Sequence, residues 1–136
     1  MTTVAPKPIV TRPWPVRQEP RSNMSGGDNA FASLIAEYIA ESLPLAEQAA
    51  DTFISLERRW RRGEDGSEAF GPLHGVLHTV KGNSAMMGLT PIQTLAHALE
   101  DLCGSLSRHP ELRLPAADLL VEGGGLLERK EVAGIF

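Results

Sequence analysis

From Asp28 onward the apolar residues of this chain fall three or four positions apart, and no stretch shows the two-residue alternation of a half-buried strand. That period admits α-helices and little else. Asp28 has the chemistry of an N-cap, and Phe31, Leu34, Ile35, Tyr38 and Ile39 follow on one helical face. Proline has no amide donor, so Leu43-Pro44 predicts a kink, or a break with a new helix behind it. The stripe resumes with Leu45, Ala49, Phe53, Ile54 and Leu56 and runs to about Trp60. "RRGEDGS" reads as a turn, and a helix from about Gly71 carries Leu73, Leu77, Val80, Ser84 and Met87 to a natural stop at Gly88. Thr90-Pro91-Ile92-Gln93 has a capping-box spacing with proline at the first helical position. The helix it opens buries Ile92, Leu95, Ala96, Leu99, Leu102 and Leu106. After the loop "SRHPELRL", Pro115 starts a weaker helix with Leu119, Leu120, Leu126 and Leu127. Gly123, Gly124 and Gly125 lie inside it, and at about 1 kcal/mol each they predict a broken or frayed segment. The expected fold is all-α, an antiparallel bundle of four to five helices.

The ends read differently. Pro6, Pro8, Pro13, Pro15 and Pro20, followed by "SNMSGGDN", make residues 1–27 a disordered, mildly basic tail in which Trp14 is an incidental aromatic. The bundle is expected over 28–130, with a short C-terminal tail at 131–136. A formal net charge of −4 argues against a general nucleic-acid binder. The single cysteine, Cys103, forbids an internal disulfide and any paired-cysteine metal knuckle, which fits a reducing, cytoplasmic setting. No apolar run approaches the roughly 18 to 20 residues of a membrane span, and the N-terminus lacks a signal peptide's apolar segment. Cys103 reads as a small core residue, Met86 and Met87 as core filler, and "ERRWRR" as a solvated helix end.

One stretch resists this bland reading. In "HTVKGNSAMMG", residues 78 to 88, His78, Lys81 and Ala85 share a stripe with His74 that lies beside the apolar stripe. His78 therefore sits at the edge of the core, one side towards solvent. Gly82, one turn further on, is costly in a helix and leaves room for a large partner to approach the imidazole. Lys81 faces the same ring, where its ammonium would neutralise the oxygens of a phosphoryl group. In a helical hairpin turning at Gly88-Leu89, residues equally far from the turn meet, so Glu100 comes level with His78. His97, three residues before Glu100, is expected on the same face. A carboxylate on one ring nitrogen would fix the tautomer and leave the other nitrogen nucleophilic.

"LHTVKGNSAMMGL" resembles the signature of histidine-containing phosphotransfer (HPt) domains, His-x-x-Lys-Gly followed by a small residue and a glycine, met here by His78, Lys81, Gly82, Ser84 and Gly88. "LAHALEDL" is similar to the next helix of the N-terminal module of CheA-like chemotaxis histidine kinases, where a histidine and a glutamate three residues later support the phosphorylated histidine; they match His97 and Glu100. The resemblance covers roughly residues 29 to 128. It implies an HPt-type bundle and a phosphorelay module. His78 would be phosphoacceptor, Lys81 charge stabiliser, Gly82 clearance, and Glu100 with His97 the orienting support. The partners implied are a histidine kinase catalytic domain and a receiver domain of a response regulator. No cofactor or metal is implied for the chain itself, magnesium belonging to the partner. No free-standing enzymatic activity is expected, and the chain would be either a stand-alone carrier or a fragment of a kinase.

Specificity would lie in exposed residues around His78, with His74, Asn83, Ala85 and Met86 as the candidate partner surface. The sequence leaves the oligomeric state open. Two other readings compete. One is a helical docking module that carries no phosphate. The other is a metal-binding bundle in which His74-x-x-x-His78 is completed by His97 and Glu100, disfavoured by the positive charge of Lys81.

Overall fold

The computed structural model describes residues 23–133. The described residues divide into two units, residues 23–37 and residues 38–133. In the first unit, residues 23–37 form the opening turns of helix α1 (Asn23–Arg61). Five residues assigned to the tail, 23–27, are thus helical; the rest of that tail, with Trp14, lies outside the described residues, as do residues 134–136.

The second unit holds the remainder of α1, then α2 (Phe70–Met86), α3 (Thr90–Arg108) and α4 (Arg113–Ala133). Single 3-10 turns, Ser67–Ala69 and Pro110–Leu112, lead into α2 and α4. Each helix buries one stripe at three- and four-residue spacing, the pattern by which amphipathic helices close a bundle. On α1 these are Tyr38, Ser42, Ala46, Ala49, Phe53, Leu56 and Trp60. On α2 they are Phe70, Leu73, Leu77, Val80 and Ser84, on α3 Ile92, Ala96, Leu99, Cys103 and Leu106, and on α4 Ala117, Leu120 and Leu127. The buried serine of α2 meets its own hydrogen-bonding need within the helix, donating from Oγ to Val80 O at 2.7 Å.

The sequence allows a kink or a break at Pro44 and predicts a broken or frayed segment at the triple glycine; neither helix is broken. Helix α1 continues through Pro44. Pro44 is exposed, and so is Ala40, whose carbonyl loses its helical donor there, so water can satisfy it. Helix α4 likewise runs unbroken through Gly123, Gly124 and Gly125. Here the glycines are what the packing requires. A Cβ on Gly124 would lie 2.7 Å from Phe53 Cδ2 and 3.0 Å from Ala50 Cα, and one on Gly123 would lie 2.6 Å from Leu99 Cδ2. The α4 backbone therefore reaches α1 and α3 at a distance that a side chain would forbid. The intrinsic cost of about 3 kcal/mol for three glycines is matched by one or two well-buried side chains, each contributing about 1.5–3 kcal/mol.

Three smaller expectations also change. Helix α3 starts at Thr90 itself, preceded by Leu89, and has no side-chain cap, so the capping box is not formed. Helix α4 starts at Arg113 rather than Pro115. Met86 is 86% exposed and is not core filler. The stop at Gly88 is as expected. Gly88 adopts φ +73°, Leu89 N–H donates to Ser84 O at 2.9 Å and Gly88 N–H to Ala85 O at 3.1 Å. These two bonds form a Schellman motif, which turns the chain sharply and fixes the register of α2 against α3.

The end of the bundle opposite this turn is closed by Arg113, a buried guanidinium. Its nitrogens donate to Leu106 O at 2.9 Å, Ser107 O at 3.3 Å and Asp65 Oδ1 at 3.1 Å, and its plane lies 5.2 Å from the Phe70 ring centre.

Candidate functional site

The α2–α3 turn places His78 level with Glu100. His78 Nδ1 lies 3.3 Å from Glu100 Oε2, a long hydrogen bond, while the ring as a whole is 63% exposed. Lys81 Nζ donates to the other carboxylate oxygen, Oε1, at 2.7 Å. Glu100 is buried at the edge of the Leu99–Cys103 layer. Burial works against its ionised form, but the Lys81 ammonium, with His74 and His78 behind it, outweighs burial and holds the carboxyl below its ordinary range. An ionised carboxylate only accepts hydrogen bonds, so the proton of neutral His78 sits on Nδ1. Nε2 is then left with its lone pair, on a ring open to solvent.

Lys81 is thus held by Glu100 in this state, one turn from the imidazole it was expected to assist. Gly82 is exposed, and a Cβ there would meet nothing within 4 Å. No contact among the described residues asks for a glycine at that position. The space is available to a partner.

His97 and Glu100 were expected to turn together towards His78. Glu100 does so; His97 Nε2 lies 3.3 Å from Asp101 Oδ2, its i,i+4 neighbour, and has no other polar side-chain contact among the described residues. The second imidazole at the site is His74, whose Nδ1 also lies 3.3 Å from Glu100 Oε2. Its ring stacks on His78 with centroids 5.8 Å apart. The i,i+4 spacing of the two histidines carried that signal, as did the hairpin register for the Lys81–Glu100 pair. Of the surface candidates, Ala85 and Met86 are exposed. Asn83 is half-buried and donates to Ser42 Oγ at 3.3 Å and Glu41 Oε1 at 3.5 Å, which ties α2 to α1. Cys103 is buried, and burial followed by the Glu100 charge pushes its thiol up to about 12, as suits a core residue.

The exposed imidazole of His78, backed by a buried carboxylate and a lysine, lies within the part of the chain that matches a known family. The Hpt domain family model matches residues 33–129. The chain belongs to the Hpt domain family. Hpt domains perform histidine phosphotransfer in two-component signalling, as phosphocarrier modules rather than enzymes, and interact with kinases and receiver domains. Comparison with curated proteins and with solved structures returns no match. No helix among the described residues is long and apolar enough to cross a membrane.

Proposed function

We propose that His78 is the phosphoacceptor of this Hpt domain, with Nε2 as the nucleophile and Glu100 as its orienting base partner. The observation that carries the reading is the 3.3 Å contact between His78 Nδ1 and the buried Glu100 carboxylate, on an exposed ring whose other nitrogen has no polar contact among the described residues. In the forward step the Nε2 lone pair attacks phosphorus, the N–P bond forms and the donor's bridging P–O bond breaks, its electrons leaving with the donor. The ring becomes cationic, and Glu100 holds the Nδ1 proton against that charge. In the onward step a receiver aspartate attacks phosphorus and the N–P electrons return to Nε2. Lys81 can exchange Glu100 for a phosphoryl oxygen once the ring is loaded. Positioning and charge are all this chemistry asks of the carrier, and magnesium is supplied by the partner.

The donor is a histidine kinase catalytic domain or a phosphorylated receiver, and the acceptor is a receiver domain; the module works in the cytoplasm. Its nearest kin would be the N-terminal domains of CheA-like chemotaxis kinases, a placement supported by the spacing of His97 and Glu100. Incubation with a panel of radiolabelled phospho-receivers tests the reading. Label should move to the wild-type chain and not to His78→Gln. Equal labelling of both would move the acceptor elsewhere.

A further inference from the structure

Two imidazoles converge on one carboxylate, and phosphotransfer needs only one of them. His74 and His78 stand one turn apart on α2, their planes 15° from parallel. Both Nδ1 atoms lie 3.3 Å from Glu100 Oε2, and one ligand atom from each of the three residues falls within 4.8 Å of the others. Ligand atoms of a tetrahedral zinc ion, each about 2.0–2.1 Å from the metal, stand about 3.3 Å from one another. Two of the three separations already have this value. The third closes by rotation of two side chains that are each more than half exposed. Glu100 is the fixed member, and Lys81 occupies its Oε1, leaving Oε2 for the ion.

We propose that His74 Nδ1, His78 Nδ1 and Glu100 Oε2 bind a divalent transition ion of the zinc class, and that the ion switches His78 off as a nucleophile. The switch rests on the phosphoacceptor reading; the binding does not. Two imidazole nitrogens select such an ion over magnesium or calcium, which take oxygen ligands. Water would complete the tetrahedron, and the charge of Lys81 keeps the site weaker than a structural zinc centre. The switch works through the tautomer. Without the ion, Nδ1 holds the ring proton and Nε2 holds the lone pair. The ion takes the lone pair of Nδ1, and the ring proton moves through solvent to Nε2. No lone pair then remains on Nε2 to attack phosphorus, and removal of the ion reverses the change.

The test uses the full chain, Zn2+ by calorimetry and Co2+ by its visible absorption, on wild type and His74→Gln. Phosphoramidate labelling is run beside it, each protein being compared with itself in Zn2+ and in chelator. One Zn2+ should bind the wild type, about 10-fold or more weakly after His74→Gln. Zinc should slow labelling of the wild type at least 10-fold and leave His74→Gln labelling at its own chelator rate. Absent stoichiometric binding in the tens of micromolar, or binding equal in the two proteins, overturns the site. Binding that depends on His74 but does not slow labelling overturns the switch. A wild type that takes no phosphate even in chelator would sink the phosphoacceptor reading and the switch with it, while the titrations still decide the metal site.

Discussion

Replacing Gly124 and Gly125 by alanine, one at a time, should change stability in opposite directions. Both lie mid-helix in α4, where alanine is intrinsically better than glycine by about 1 kcal/mol. At Gly125 the only neighbour of an added Cβ among the described residues is the flexible end of Arg129, at 3.4 Å, so the gain should be realised. At Gly124 the Cβ would stand 2.7 Å from Phe53 Cδ2 and 3.0 Å from Ala50 Cα. The second of these is backbone and cannot rotate away, so α4 must shift off α1, and overpacking of this kind costs about 1–3 kcal/mol. The net for Gly124→Ala is a loss of about 1 kcal/mol, or up to about 2. For a domain of this size each kcal/mol moves Tm by about 4–8 °C. Thermal melts followed by circular dichroism should show Gly125→Ala above and Gly124→Ala below the wild type. Two shifts of the same sign, or a stabilised Gly124→Ala, would refute the close approach of α4 to α1.

Gly82→Ala should melt about 4–8 °C higher, by the same propensity argument with nothing within 4 Å to oppose it, yet exchange phosphate with a receiver at least 10-fold more slowly while phosphoramidate still labels it. Unimpaired exchange would remove the clearance role. Glu131 is 1% exposed, its Oε1 accepts the Tyr38 hydroxyl proton, and burial raises its pKa. A raised carboxyl stabilises fully below the unfolded value and loses that contribution as pH rises through the folded one, so Glu131→Gln should raise Tm at pH 8 and not at pH 4. Equal effects at both pH values would contradict this. Glu100 has the opposite sign. Its lowered pKa gives stability present above the ordinary carboxylate range and lost as pH falls through the folded value, so the Tm difference between wild type and Glu100→Gln should shrink below about pH 4. Arg113→Ala should cost about 1.5–3 kcal/mol by denaturant titration, since one buried carbonyl loses a charged donor and two part-buried contacts, to Ser107 O and the exposed Asp65 carboxylate, are lost with it; a cost under about 1 would show the clamp to be idle.

What the sequence showed of this fold was local chemistry, and what it hid was tertiary. Gly88 announced a helix stop because glycine adopts positive φ cheaply, and that one turn set the register that brings Glu100 to His78. Gly123 to Gly125 look identical to helix breakers in sequence, because propensity is blind to the Phe53 and Leu99 side chains that fill the space. Pro44 reads as a kink or a break until one sees that it and Ala40, whose carbonyl it orphans, are both exposed residues of α1. At the site, the choice between His97 and His74 turned on which neighbour each imidazole finds. Asp101, one turn after His97, competes for it, whereas His74 has Glu100 within reach across the helix pair. Spacing gives the face of a helix but does not rank the partners on it.

The most direct measurement of the central claim is intact mass after phosphoramidate treatment of the wild type and His78→Gln side by side. One added phosphate is expected on the wild type alone, lost on brief acid treatment as a phosphoramidate bond should be. An unmodified wild type, or the same gain on His78→Gln, would contradict it.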